Sequence, residues 1–209
     1  MAQNKQFAEN LLDISVPMEE NPWRYSTISF LLKGARKLAG RDIITGEYKG
    51  IEFNEQNFID ETYNSFLFTS LLHYLILLEQ IGIIFVESKG ERKNGILLAL
   101  DNFSQLTEEK KKAIKALRNS LAHNFGLTAK GYKFVLCQER NSEIVQPASR
   151  TWNGDFLDKS EESDTIIYLN DLIEMIEGIY SELRNKIESN EITSQLSENE
   201  IKSRFTIRI

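Results

Sequence analysis

The feature that most constrains this chain is the run "FLFTSLLHYLILLEQIGIIFV", Phe66 to Val86. Its length suits a helix crossing a bilayer. It nevertheless carries His73, Glu79 and Gln80, with Asp60 and Glu61 just upstream. A carboxylate deep in lipid is costly. The run therefore predicts the central helix of a globular bundle, apolar nearly all round, rather than a membrane span. Such a helix needs partners that are apolar on one face only.

The rest of the chain supplies them. Arg24 to Leu38 places Ile28, Leu31, Leu32, Ala35 and Leu38 at helical spacing. Leu169 to Ile187 does the same with Leu172, Ile173, Ile176, Ile179, Tyr180, Leu183 and Ile187. Ile96 to Phe103 reads as a shorter helix, and "AGRDIITGEYKGIEF" as a long turn or small hairpin. Residues 1–22 read as a short helix and a loop. The period changes in "GYKFVLCQERNSEIVQP", which predicts two strands paired as an antiparallel hairpin around "ERNS", with "TIIYLN" a possible third. The expected fold is mainly α: an antiparallel helical bundle with a small β-hairpin or three-stranded insert between its last two helices. One domain is expected over 1–189. Within it, 23–56 form an N-terminal helix and turn, 57–126 the core helices, 131–169 the β insert and 169–189 the last helix. Residues 190–209 form a polar tail.

A chain of 209 residues can bury one sizeable core. Its net charge of −6 argues against coating nucleic acid by bulk electrostatics but leaves room for a local basic patch. The single cysteine, Cys137, lies in an apolar run and is expected as a buried, inert thiol in a reducing cytoplasm. The N-terminal residues show no secretory signal pattern. Two histidines and one cysteine without a spaced cluster predict no metal site, and no cofactor motif is visible. His73 is expected as a hydrogen-bonded core histidine. Trp23 beside Arg24, and Trp152 beside Arg150, fit packing better than base stacking.

The chemistry concentrates in "TEEKKKAIKALRNSLAHNFG". Thr107 is a hydroxyl cap, Glu108 and Glu109 follow in the first turn, and Gly126 is available for a left-handed cap. Ile114, Leu117 and Leu121 cluster on one side of the helix. Asn119 and His123, four apart, share a face about opposite, with Lys112 and Ala116 on it and Lys115 at its edge. Arg118 is about 140° round the axis from His123, and both side chains are expected to project away from the leucines. The lysines at 110–112 read as a solvated face. Arg supplies a planar cation suited to phosphate, and His a proton near neutral pH. The bland alternative is a solvated arginine and a helix-end histidine favoured by the helix dipole.

The segment "ALRNSLAHN" resembles the Arg-x4-6-His signature of HEPN domains, with a polar residue directly after the arginine. The resemblance covers Asn57 to Lys186 and treats the β hairpin as an insertion. It implies a metal-independent endoribonuclease, or a non-catalytic relative that binds RNA, a nucleotide or a protein. Arg118 would bind the scissile phosphate, His123 act as acid or base, Asn119 assist, and Lys112 and Lys115 contact RNA. Many catalytic members add an acidic or polar residue on a neighbouring helix. Glu79, which interrupts the apolar helix, is the candidate; it is equally suited to an ion pair or a polar interface. The resemblance also implies a homodimer and a role in toxin–antitoxin or phage-defence systems, with an antitoxin protein as a possible partner. Small residues at Ala116 and Ser120 would let two copies approach. A helical scaffold docking its partner on the β hairpin is a further alternative.

Overall fold

The computed structural model describes residues 8, 9, 11–14, 26–50, 59–88 and 94–205. Trp23, Arg24, most of the expected first helix and the last four residues lie outside them. Six helices and one four-stranded sheet are described, so the chain is mainly α. Helix α1 is Thr27–Leu38, α2 Ile59–Phe85, α3 Gly95–Phe103, α4 Glu108–Asn124, α5 Leu169–Glu188 and α6 Glu198–Phe205. Strands β1 Thr128–Ala129, β2 Tyr132–Cys137, β3 Val145–Gln146 and β4 Asp164–Tyr168 lie between α4 and α5.

Caps set several helix starts. The Ser26 hydroxyl accepts from Ser29 N, Asn94 Oδ1 from Leu97 N and Thr107 Oγ1 from Lys110 N, each satisfying an amide that the first turn leaves open. α2 is the one described helix long and apolar enough to cross a membrane. Here Leu71, Tyr74, Leu75, Leu77, Leu78, Ile81 and Ile84 are fully buried inside the protein. α1 runs antiparallel to α2, since Thr27 donates to Gln80 and the Ser70 hydroxyl to the Ala35 carbonyl, 2.8 Å away. α2 and α3 cross at two glycines. A Cβ on Gly82 would drive into the Gly95 carbonyl, and one on Gly95 into the Glu79 carbonyl. Only glycine allows backbones this close.

The sheet departs from the expected hairpin. Its order is β1-β2-β4-β3, so β4 lies between the two strands expected to pair. β2 is parallel to β4, and β3 antiparallel to it. β4 takes the centre because Thr165, Ile167 and Tyr168 are buried. β3 is two residues long and is followed by Pro147, which has no N–H for a ladder and suits an edge. The "ERNS" loop docks on α5 instead of closing a tight turn. Asn141 N donates to Asp171 Oδ2 at 2.9 Å and Asn170 Nδ2 to the Gln138 carbonyl at 2.6 Å.

Other expectations are also corrected. Cys137 is half-buried, since its strand has one face partly open. His73 is half-buried and its Nδ1 has no hydrogen-bond partner; it sits against Gly34, and burial lowers its pKa. The segment after residue 190 is not merely polar. Gln195 N donates to the Ile84 carbonyl at 2.7 Å, and Ile201 of α6 is fully buried in the core.

A buried polar network binds three helices. Arg36 of α1 donates through Nε and Nη2 to both oxygens of Glu177 on α5, at 2.9 and 2.7 Å. The Tyr74 hydroxyl of α2 donates to Glu177 Oε1 at 2.6 Å. Arg36 Nη1 reaches the carbonyls of Ile43 and Ile44, at 3.2 and 2.7 Å, in the turn after α1. Gly46, at φ +77°, packs on the guanidinium where a side chain would not fit. Tyr180 lies beneath Arg36, 5.5 Å from its centre, and donates to the Leu12 carbonyl.

Removing one member of a buried pair strands the other charge. Glu177→Leu should cost about 3–5 kcal/mol in urea denaturation, and adding Arg36→Met should recover much of it. Equal stability of the single and double variants would contradict the coupling. Burial and Glu177 push the Tyr74 phenol far up, and burial pushes Tyr180 up to about 12. Both keep their protons above about pH 10, where the unfolded chain loses them. Unfolding then releases protons, so stability should fall as pH rises past about 10. Tyr74→Phe should flatten that alkaline limb in thermal melts.

Candidate functional site

α4 presents the motif. Ala113, Ile114, Leu117 and Leu121 are buried, which fixes the helix's rotation. His123 is then exposed in the last turn and, among the described residues, makes no hydrogen bond or ion pair. Asn119 is half-buried one turn earlier.

Arg118 does not project freely into solvent. Its Nη2 is paired with Glu79 Oε2 on α2, and its Nη1 donates to Asn119 Oδ1 at 3.2 Å. The side chains of Arg118 and Glu79 are 20% and 18% exposed. The reason is geometric: at 140° from His123, the arginine falls in the seam between α4 and α2. Its Nε–H is buried and, among the described residues, has no acceptor. Arg118, Asn119 and Glu79 thus form one hydrogen-bonded set, and no hydrogen bond joins His123 to it.

Gly95 contributes to this set in a way the sequence does not reveal. A Cβ there would lie 3.0 Å from Glu79 Cγ and collide with the Glu79 carbonyl. The bare backbone at the start of α3 leaves room for the carboxylate to turn toward α4.

The helix end also differs from expectation. Phe125, not Gly126, takes the left-handed conformation, at φ 49° and ψ 36°. The Phe125 amide donates to the Leu121 carbonyl at 3.1 Å. Its ring is 60% exposed and meets Phe68 of α2 edge-on, with centroids 4.8 Å apart. Ser120 is buried, and its hydroxyl lies 2.9 Å from the Gly126 carbonyl and 2.6 Å from that of Thr128. It ties the helix end to β1 and does not face outward. Ala116 is partly buried against the core. These two residues therefore do not form the expected outward small-residue seam.

The lysines divide. Lys111 is buried and paired with Asp101 at 2.8 Å, and Lys110 reaches Glu143 at 3.2 Å. Neither is the solvated residue expected. Lys112 is exposed and Lys115 half-buried; among the described residues neither forms an ion pair. Trp152 is buried, edge-on to Phe156, with Nε1 donating to the Asp155 carbonyl, so it packs as expected.

Other parts of the surface carry clefts. One of about 260 Å³ is lined by Glu109, Ala113, Tyr132 and Thr165, near the start of α4. Among the described residues no three His, Cys, Asp or Glu side chains converge as metal ligands. The chain matches no family model, no curated protein and no solved structure.

The Glu79–Arg118 pair is shielded yet in contact with water, so its net worth is modest. Glu79→Ala should lower stability by about 1 kcal/mol. Glu79→Gln should cost less, because the amide oxygen still accepts from Arg118. A larger loss for Gln than for Ala in chemical denaturation would contradict this pairing.

Proposed function

We propose that this chain is a HEPN-like, metal-independent endoribonuclease that acts as a homodimer in the cytoplasm. The observation that carries the reading is the ion pair between Arg118 at the end of α4 and Glu79 on the neighbouring helix. An acid beside the motif arginine is what the resemblance implies for catalytic members. Nothing in the local pattern of α4 demands it.

The roles follow from the donors left open. Glu79 and Asn119 hold the guanidinium in one orientation, and the side chain keeps about one-fifth of its surface open to a ligand. A non-bridging phosphate oxygen is a suitable acceptor, because a charged donor to a phosphate makes a strong hydrogen bond. Asn119 spends its oxygen on Arg118, leaving its NH2 group for a ligand oxygen. The reaction is attack of the substrate's ribose 2′-oxygen on phosphorus. A P–O2′ bond forms, the P–O5′ bond breaks, the 2′-hydroxyl loses its proton and the 5′-oxygen gains one. The products are a 2′,3′-cyclic phosphate and a 5′-hydroxyl. His123 serves one of the two proton transfers. A second copy would supply the other imidazole, and two convex helix ends would enclose a strand that one leaves in water. Lys112 and Lys115 would draw the RNA backbone to this face. Membership of a toxin–antitoxin or phage-defence system, with an antitoxin protein as partner, belongs to the same reading.

A second reading has its own support. Arg118 is already neutralised by Glu79. That fits a non-catalytic module that binds RNA, a nucleotide or a protein.

The test is incubation of the purified chain with total RNA in EDTA. The expected result is cleavage leaving cyclic-phosphate or 3′-phosphate ends. His123→Ala should lower the rate about 100-fold or more, the scale of acid–base catalysis, with RNA affinity and melting temperature little changed. Arg118→Ala should damage both binding and cleavage. RNA binding without cleavage supports the second reading. Cleavage abolished by EDTA and restored only by one ion overturns the mechanism.

A further inference from the structure

Phe125 occupies the left-handed position that closes α4. A side chain with a Cβ is strained there, and glycine avoids that strain. Glycine stands at the very next position, and yet the phenylalanine takes the strained place. Burial does not explain the choice, since the ring remains 60% exposed. Its ring meets Phe68, itself packed against the core, edge-on. The result is an exposed aromatic residue braced edge-on by Phe68, two residues beyond His123. Strain kept at such a place points to use.

Its position along the seam is set by two contacts. Arg118 meets Glu79 and Phe125 meets Phe68, so α4 and α2 run antiparallel. Seven residues separate Arg118 from Phe125, or about 10 Å of helix axis. His123 lies between them.

We infer that Phe125 is a stacking platform for a base of single-stranded RNA, next to the phosphate held at Arg118. This inference rests on the proposed ribonuclease reading and assigns that site its substrate class: an unpaired strand with splayed bases, not a duplex. Single-stranded RNA is read by stacking unpaired bases on aromatic rings, a contact tolerant of sequence. A duplex keeps its bases stacked inside and offers no such face. Phe125 sits on the same helix end as the exposed imidazole of His123, so one strand can meet ring and proton donor together.

The experiment uses the full chain and a short single-stranded oligoribonucleotide whose 2′-oxygens are methylated so that it cannot be cleaved, carrying 2-aminopurine at successive positions. Wild-type protein should quench the fluorophore at one or two positions. Phe125→Gly removes ring and strain together, so its melting temperature should hold or rise. Its affinity for the oligonucleotide should fall about tenfold or more, as expected for a lost base stack, and the quenching should vanish. Phe125→Asn, which tolerates the left-handed conformation, is the second variant and should behave alike. Phe125→Tyr should bind like wild type. Unchanged affinity and quenching in Phe125→Gly would overturn the platform while leaving the ribonuclease reading intact. Failure of the wild type to bind the strand would overturn both. Equal affinity for the same sequence as a duplex would overturn the single-strand assignment.

Discussion

The fold depends on the two-pronged contact between Arg36 and Glu177. These residues are 141 apart in sequence, and their pairing joins the first described helix to the last helix of the bundle. Tyr74 adds the central helix through the same carboxylate, and the turn after α1 is held by carbonyls offered to the remaining guanidinium nitrogen. Hydrophobic burial supplies the bulk of stabilisation but is non-directional. A planar, bidentate ion pair has one geometry. It selects which face of α5 meets α1, and an axial slip of either helix would leave a charge buried and unpaired.

The candidate site uses the same type of interaction with a different outcome. Arg118 and Glu79 sit near the edge of the protein, each about one-fifth exposed. There the carboxylate orients the arginine without sealing it from water. The surrounding arrangement is exacting: glycine at 95 makes room for Glu79, the buried leucines fix α4's rotation, and Ser120 ties the helix end to β1. Among the described residues His123 makes no hydrogen bond or ion pair, and the proposed proton transfer needs that freedom.

Much of the helical layout was legible because periodicity is a local property. α1, α3, α4 and α5 follow from apolar spacing and caps, and the central helix from its continuous apolar run. Arg118, Asn119 and His123 were legible as a motif, and Glu79 as a charge that an apolar helix has no local reason to carry. What was not legible depends on distant partners. Arg36 and Glu177 look like ordinary solvated charges in their own helices. The strand order was misread because "ERNS" resembles a turn, whereas Asp171 and Asn170 draw that loop onto α5. Lys111 hides among lysines until Asp101 is found beside it. Phe125 gives no signal in the sequence, because the neighbouring glycine is the usual occupant of a left-handed cap.

The parallel pairing of β2 with β4 has a kinetic side. Lys133 aligns with Asp164, some thirty residues later, and β3 also waits for β4. Bringing such distant segments together carries a loop-closure entropy that local helices avoid, so contacts of this kind slow folding. The sheet is therefore the slow step in shaping the helix end. Ser120 is anchored to β1, β1 leans on β2, and β2 is completed only by β4. A chain emerging residue by residue carries residues 118–123 long before β4 exists to finish the scaffold beneath them. The end of α4 therefore gains its full support only once the sheet has assembled.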